Sequence, residues 1–235
     1  MKIYTKIVVI LFLLLFSIEI AKASEFFYEE MSIDSYNKTN FSRTYVKYPL
    51  AKIERTMNDL VLLYNLENGS ATVVNTKKKE VKMTTIYNFL KDLSDRINGF
   101  IRFGKTFVGE IKISYSGEKT NIRGFNCVKL VDNFGGYYYI TTDLINYKTN
   151  FDIKLFNASG IEYNYENFAT LFGLKELTLD ERSKYYFLNG YSVENLQVIR
   201  TVFFVQSNFT YITRVGFKVD DSVFELKTNG YRIIK

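Results

Sequence analysis

The chain has 235 residues, a formal net charge of +6, a single cysteine and no histidine. Without histidine, it cannot form a Ser-His-Asp or Cys-His nucleophilic centre or a histidine-ligated zinc site. The single cysteine, Cys127, excludes an intramolecular disulfide. We expect it to be buried as a small apolar residue, and the alternatives are a reactive thiol or an intermolecular bridge.

The first 23 residues are predicted to be an export signal. Lys2 and Lys6 give a positive start, and an apolar run follows over residues 7–18. Ala21 and Ala23 place small residues where a signal peptidase cleaves. The run of about twelve residues is shorter than the roughly twenty that a membrane-spanning helix needs, so an uncleaved anchor is the weaker alternative. We therefore expect a periplasmic protein that is soluble after cleavage, with the extracellular space as the second choice of location.

Residues 24–235 are predicted to form one β-rich domain, because no linker rich in Pro, Gly or Ser divides them. The clearest strand covers residues 59–66. Four apolar side chains share one of its faces: Leu60, Leu62, Tyr64 and Leu66. Asn68-Gly69 then predicts a hairpin turn, and the partner strand continues over residues 71–74.

The densest basic run follows this hairpin, at Lys77, Lys78 and Lys79. We interpret it as the exposed end of a second turn. Peripheral contact with an anionic membrane surface is a weaker alternative, worth at most about 1 kcal/mol for each basic residue. Nucleic-acid binding is not expected, because that function needs a wider basic face with stacking aromatic residues.

An amphipathic helix is predicted from Thr84 to about Gly99. Its apolar residues recur every three or four positions: Ile86, Phe89, Leu90, Leu93, Ile97, Phe100 and Ile101. Asn98-Gly99 is a typical helix stop, since both residues tolerate the left-handed backbone conformation. A second helical stretch is predicted between Tyr165 and Leu188, with breaks at Gly173 and Thr178-Leu179.

Two further strand pairs are predicted. One joins residues 127–131 to residues 137–142 through the turn Phe134-Gly135-Gly136. The other joins residues 196–205 to residues 210–219 and is predicted to turn at Ser207-Asn208. Strands with inserted amphipathic helices favour a mainly β fold, in which a curved antiparallel sheet holds helices against its inner face. A closed barrel with helices outside is the alternative, because strand alternation suits both arrangements.

Adjacent acidic residues at Asp180-Glu181 and Asp220-Asp221 are the pairs to test for hydrolytic chemistry. A two-carboxylate mechanism needs partners roughly 5–10 Å apart across a cleft, whereas neighbours in sequence cap a helix or point to opposite faces of a strand. Hydrolysis is therefore not expected. We also expect no cofactor and no metal, since no Asp-rich calcium loop or phosphate-binding glycine loop occurs.

A longer pattern lies in the second half of the chain. It consists of Gly124-Phe125-Asn126-Cys127-Val128-Lys129, then Gly135-Gly136, then Thr141-Thr142-Asp143-Leu144. The pattern resembles an uncharacterised family of bacterial exported proteins related to the LolA/LolB periplasmic lipoprotein carriers. The resemblance extends to a strand at Tyr45–Arg55 and to the ending at residues 219–232. One departure is that Tyr137, Tyr138 and Tyr139 stand where the family often has a tryptophan.

The resemblance implies a LolA-like half-barrel of antiparallel strands that encloses one or two helices. It also implies a non-enzymatic cell-envelope protein that binds a lipid acyl chain or a lipidated partner between sheet and helices. The residues expected to contact this ligand are Leu62, Tyr64 and Leu66 on the sheet, and Phe89, Leu93, Ile97 and Phe100 on the helix. Core packing is the competing explanation for each of them.

A second hypothesis is an envelope protein–protein interaction module with no ligand cavity, which binds through a sheet edge or the tyrosine-rich face. It predicts a filled interior. A cavity smaller than about 300 Å³, the lower end for ligand pockets, would favour it.

Overall fold

A single sheet of thirteen strands runs through the computed structural model, in which residues 25–200 and 205–234 are described. The export signal predicted for residues 1–23 lies outside the described residues. The strands are β1 Glu25–Asp34, β2 Thr39–Lys47, β3 Leu50–Arg55, β4 Leu60–Asn65, β5 Ser70–Asn75, β6 Glu80–Thr85, β7 Lys112–Ile122, β8 Phe125–Asp132, β9 Tyr137–Thr141, β10 Thr178–Leu179, β11 Tyr191–Arg200, β12 Val205–Gly216 and β13 Arg232–Ile234.

The helices of the described residues are inserted between these strands. They are α1 Ile86–Val108, α2 Ile145–Ser159, α3 Tyr165–Leu171 and α4 Glu181–Asn189. Short 3₁₀ turns cover Leu174–Glu176 and Asp221–Phe224.

The sheet is open and almost entirely antiparallel. Its strand order is β10-β7-β8-β9-β11-β12-β1-β2-β3-β4-β5-β6-β13, and only the two end strands pair in parallel. Because β10 and β13 lie at opposite ends, the sheet does not close into a barrel. The predicted fold class of a mainly β sheet with helices packed against it is confirmed at this level, and the closed-barrel alternative is wrong.

The Asn68-Gly69 turn forms as predicted. Gly69 has a positive φ of 71°, and the side chain of Asn65 accepts hydrogen bonds from the backbone amides of Glu67 and Asn68. A Cβ atom at Gly69 would lie 2.5 Å from the carbonyl oxygen of Ala158 at the end of α2. Glycine is thus required twice here, for the backbone conformation and for the close approach of the helix.

The second hairpin also forms where it was predicted, between β8 and β9. Gly135 has a φ of 90°, and Asp132 Oδ1 accepts hydrogen bonds from the amides of Phe134 and Gly136, each at 2.8 Å. The predicted breaks around Gly173 and Thr178-Leu179 are confirmed, since they separate α3 from α4.

Two strand predictions are wrong. Residues Tyr45–Arg55 form parts of two strands, β2 and β3, which are joined at Tyr48-Pro49 through a cis peptide bond. Ser207 and Asn208 do not turn, because they lie within β12, where Asn208 pairs with Gln197 of β11.

Helix α1 begins close to the predicted position but does not stop at Asn98-Gly99. The Thr85 hydroxyl caps it by accepting the amide of Asn88 at 3.1 Å. Asn98 stays helical, and its side-chain amide donates to the carbonyl of Ser94 and to that of Thr170 in α3, both at 2.9 Å. These bonds give Asn98 a role within the helix, which continues to Val108.

The inner face of β1–β5 carries the main core. Cross-strand pairs such as Ile53–Leu62 and Ala51–Tyr64 place apolar side chains on this face, and α1, α2 and α3 pack against them. The C-terminal segment packs against part of the opposite face of the same strands. There Lys52 Nζ donates to the carbonyl of Val223 at 2.6 Å.

A smaller core lies at the other end of the sheet. Val128, Leu130 and Ile140 pack against α4, and Leu130 is fully buried. The position of the helices therefore divides the sheet into two regions. We call β1–β6 with α1, α2 and α3 the first region, and β7–β9 with α4 the second region.

Candidate functional site

An apolar cavity of about 250 Å³ lies between the sheet and the helices of the first region. Most of its lining is aromatic or aliphatic. The lining residues are Phe26, Tyr28, Ile53, Arg55, Leu62, Tyr64, Phe89, Leu90, Leu93, Leu144, Tyr147, Lys148, Phe151, Asp152, Leu155, Phe168, Phe172, Tyr191 and Val215.

The register of the strands explains which side chains of the sheet line the cavity. Tyr28 of β1 and Ile53 of β3 both lie opposite Thr44 of β2, and Ile53 also lies opposite Leu62 of β4. Directly paired residues in adjacent strands point to the same face. One row across the sheet therefore supplies three of the lining side chains.

The helix wall is built largely from rings. Phe89 of α1 contacts Tyr64 with ring centroids 5.7 Å apart, and Phe151 of α2 contacts Phe26 at 6.3 Å. Phe168 of α3 contacts Phe172, the residue just after this helix, with ring centroids 4.7 Å apart. Aromatic contacts thus line the cavity, and no disulfide ties the helices to the sheet, because Cys127 is the single cysteine of the chain.

A buried ion pair forms one polar part of the lining. Lys148 and Asp152, four residues apart on α2, bond through Nζ and Oδ2, and Nζ also donates to the carbonyl of Leu188 at 2.9 Å. The ammonium lies 4.6 Å from the ring centre of Phe168. Burial raises the pKa of the Asp152 carboxyl, although the attraction of Lys148 opposes this effect.

A second polar group lies in the middle of β1 and at the start of β11. Tyr28 and Tyr191 meet with ring centroids 4.7 Å apart, and the Tyr191 hydroxyl donates to Glu30 Oε1 at 3.2 Å. Burial raises the pKa of Tyr28 to about 12 and also raises that of Glu30. The exposed Arg55 guanidinium acts in the opposite direction on both groups.

The structure places four of the seven predicted contact residues in the cavity wall: Leu62, Tyr64, Phe89 and Leu93. The other three lie elsewhere. Leu66 is buried in the core just after β4, where its amide donates to the carbonyl of Pro49 at 2.7 Å. Ile97 faces Gly173, and Phe100 is 67% exposed, because this part of α1 lies beside the Gly173 turn rather than over the sheet.

The cavity volume bears on the choice between the two sequence hypotheses. At about 250 Å³ it is slightly below the lower end of about 300 Å³ for ligand pockets. By that criterion the volume favours the interaction module. The interior is nevertheless hollow, whereas the interaction module predicts a filled one.

Cys127 is buried, as predicted from its being the only cysteine. Its side chain packs with Val193 and Ile212, and burial raises the pKa of its thiol to about 11. A thiol with this pKa is a poor nucleophile near neutral pH. The predicted small apolar role is therefore confirmed.

The other motifs have structural roles. Asp180 caps α4 by accepting the amide of Ser183 at 2.7 Å, and Asp220 accepts the amide of Ser222 at 2.9 Å.

Lys77, Lys78 and Lys79 are exposed between β5 and β6, as predicted for a turn. Tyr137 and Tyr139 of β9 lie 5.3 Å apart, with the ammonium of Lys129 5.5 Å from the ring of Tyr139.

Within residues 25–200 and 205–234, the acidic and cysteine side chains form no cluster suited to holding a metal ion. None of the helices in this part of the chain has both the length and the apolar character needed to cross a bilayer.

Comparisons with known proteins do not assign a family. No family model matches the chain, and no curated protein matches it. Among solved structures, the chain is similar to an uncharacterised conserved protein from Thermus thermophilus. That likeness covers 92% of this chain and 95% of the other, at 5% sequence identity and a TM-score of 0.43. A likeness at this TM-score gives no indication of function.

Proposed function

We propose that the protein is a non-enzymatic, exported envelope protein of LolA-like half-barrel architecture that binds one acyl chain in the cavity of the first region. The acyl chain belongs to a lipid or to a lipidated partner protein. The single observation that carries the proposal is the hollow, largely apolar space between the sheet and α1–α3.

The lining supports an acyl chain as the occupant. The charged lining residues other than Arg55 are Lys148 and Asp152, which neutralise each other. Burying a chain against such walls gains about 0.8 kcal/mol for each methylene group. An apolar chain of several methylenes is therefore held without any charged contact.

The size supports one chain and no larger ligand. An apolar cavity of about 150 Å³ is large enough to bind benzene, so about 250 Å³ accepts a longer but still slender molecule. A diacyl lipid requires α1 and α2 to move away from the sheet. Such movement breaks non-covalent contacts only, because no disulfide joins these helices to the sheet.

Displacement of a fluorescent fatty acid from purified protein tests the proposal, together with native mass spectrometry for co-purified lipid. Leu93→Trp fills the space between α1 and the sheet, and we expect it to weaken probe binding about tenfold, or about 1.4 kcal/mol. Phe100→Trp is the matched control on the same helix but outside the cavity, and it should leave affinity unchanged. Circular dichroism establishes that both variants fold.

Two results contradict the proposal. One is the absence of displacement at micromolar concentrations together with the absence of co-purified lipid. The other is an equal effect of Leu93→Trp and Phe100→Trp, which would place the probe outside the cavity.

The second candidate is an interaction module whose sheet edge or tyrosine-rich face binds another envelope protein, and the small cavity volume favours it. This candidate predicts that Leu93→Trp has no effect on any binding partner. Substitution of Tyr137 and Tyr139, which lie side by side on β9, should instead abolish binding.

Peripheral membrane contact through the exposed Lys77, Lys78 and Lys79 accompanies the leading proposal. Vesicles with anionic headgroups should then bind the protein more weakly as ionic strength rises. Replacing the three lysines with glutamine should remove this dependence without changing displacement of the fatty acid.

A further inference from the structure

Arg55 differs from the other charged residues of the cavity lining. It stands at the end of β3 with its side chain exposed, and it forms no ion pair with any residue in the described ranges. Lys148 and Asp152, by contrast, pair with each other inside the cavity. The lining therefore carries one uncompensated positive charge, and this charge lies at the exposed edge of an apolar space.

The positive charge of Arg55 affects the pKa values of ionisable groups near this edge. Its guanidinium lowers the pKa of the Tyr28 and Tyr64 hydroxyls and of the Glu30 carboxyl, against the larger effect of burial on each. Tyr28 and Tyr64 are themselves lining residues. The electrostatic effect of Arg55 therefore extends to groups that line the cavity.

Glu30 is the acidic group whose pKa responds to Arg55, and it does not neutralise that residue. Its carboxylate accepts the hydrogen bond of Tyr191, and it forms no ion pair within the described part of the chain. Strand register explains the separation, because Ser42 of β2 lies between Glu30 of β1 and Arg55 of β3.

We propose that Arg55 binds the anionic head of a single-chain amphiphile whose acyl tail occupies the cavity. A guanidinium presents paired N–H donors that suit a carboxylate or a phosphate. The ligand class is then a single acyl chain with a negative head, supplied either by a free fatty acid or by a phosphate-headed lipid. This inference rests on the proposed function and adds the charge of the ligand to it.

Three probes with the same twelve-carbon tail test the inference: dodecanoate, dodecyl phosphate and the uncharged dodecanol. Each displaces a neutral fluorescent probe from the wild type, from Arg55→Gln and from Arg43→Gln. Arg43 is the matched control, because it lies on the adjacent strand, points to the other face of the sheet and pairs with Glu29. All measurements are made where both anions are ionised.

We expect the wild type and Arg43→Gln to bind at least one of the two anions about tenfold more tightly than dodecanol. Arg55→Gln should lose this preference and keep its affinity for dodecanol. A preference for dodecanoate identifies a fatty acid as the ligand, and a preference for dodecyl phosphate identifies a phosphate-headed lipid.

Equal affinity of the wild type for all three probes overturns the inference and leaves the proposed function standing. Retention of the preference in Arg55→Gln also overturns it. Failure of all three probes to bind overturns the proposed function itself, and the inference with it.

Discussion

The two regions of the sheet fill the space beneath their helices differently. In the second region, aliphatic side chains of β8 and β9 meet Phe187 and Tyr186 of the short helix α4, and Leu130 is fully buried. In the first region, three helices lie over a wider sheet, and rings such as Phe26, Tyr64 and Phe89 form the walls. The first region thus keeps a cavity of about 250 Å³ beside Phe89, whereas Leu130 in the second region is completely covered by its neighbours.

This difference predicts unequal costs of truncation, which is the largest effect that we expect. Leu130→Ala leaves a new cavity in a filled core and should lower the free energy of unfolding by about 3 kcal/mol. Phe89→Ala only enlarges an existing hollow, because Phe89 is half-buried beside the cavity, and it should cost clearly less despite removing a larger side chain. Urea unfolding followed by circular dichroism measures both.

An equal loss of unfolding free energy in these two variants would show that the two regions do not differ in packing. A larger cost for Phe89→Ala would indicate that the first region is the more tightly packed.

The buried ion pair of the first region sharpens the comparison. Asp152→Ala leaves the Lys148 ammonium buried without its carboxylate and should cost about 3 kcal/mol. The control is Glu166→Ala, which removes the exposed pair with Lys175 and should change stability little. A cost for Asp152→Ala no larger than that for Glu166→Ala would show that the pair contributes nothing to holding α2 in place.

The smallest expected effect is a difference in pH dependence between the regions. Burial raises the pKa of Glu30 in the first region. The contribution of Glu30 to the free energy of unfolding is therefore complete below the ordinary glutamate pKa, and it is lost as pH rises through the raised value. In the second region, burial acts to raise the pKa of Asp180. Amide hydrogen bonds from Ser183 and Tyr115 outweigh this effect and leave the pKa below its ordinary value. The Asp180 contribution is therefore present above the ordinary aspartate pKa and is lost as pH falls.

Glu30→Gln and Asp180→Asn should accordingly change the pH profile of unfolding in opposite directions. Relative to the wild type, Glu30→Gln gains stability between about pH 4 and pH 7, and Asp180→Asn loses stability over the same interval. Urea unfolding at several pH values measures this difference. Profiles that shift in the same direction would contradict the opposite electrostatic environments of the two carboxyls.

Local sequence signals predicted the hairpins at Gly69 and Gly135 and the start of α1, but not the turn between β11 and β12. The conformations that Gly69 and Gly135 adopt depend on a few neighbouring residues, so the turns were predictable from the sequence. The end of α1 was not, because Asn98 is kept in the helix by its bond to Thr170, which lies 72 residues further along the chain.

Helix α2 was missed for a related reason. It buries the polar residues Asp152 and Ser159 along with its apolar ones, so its sequence lacks a clean amphipathic repeat. Burial of Asp152 depends on Lys148 and on the carbonyl of Leu188 in α4, and neither contact is visible as periodicity.

The candidate site was predicted in part. Leu62 and Tyr64 lie on the predicted strand face, and Phe89 and Leu93 lie on the predicted helix face, so alternation and helical spacing were enough to place them. Phe100 belongs to the same helical repeat but lies beyond the sheet. Arg55 was not singled out, because only the assembled fold shows which cation at a strand end lacks an acidic partner.

The most direct test of the central claim is a crystal structure of the protein grown with 12-bromododecanoate, in which anomalous scattering locates the bromine atom. We predict a bromine peak in the cavity between Phe89 of α1 and Leu62 of β4, with the carboxylate at Arg55. A cavity that contains no ligand density while bromine is found only on the outer surface, or an interior filled by the protein's own side chains, would contradict the account.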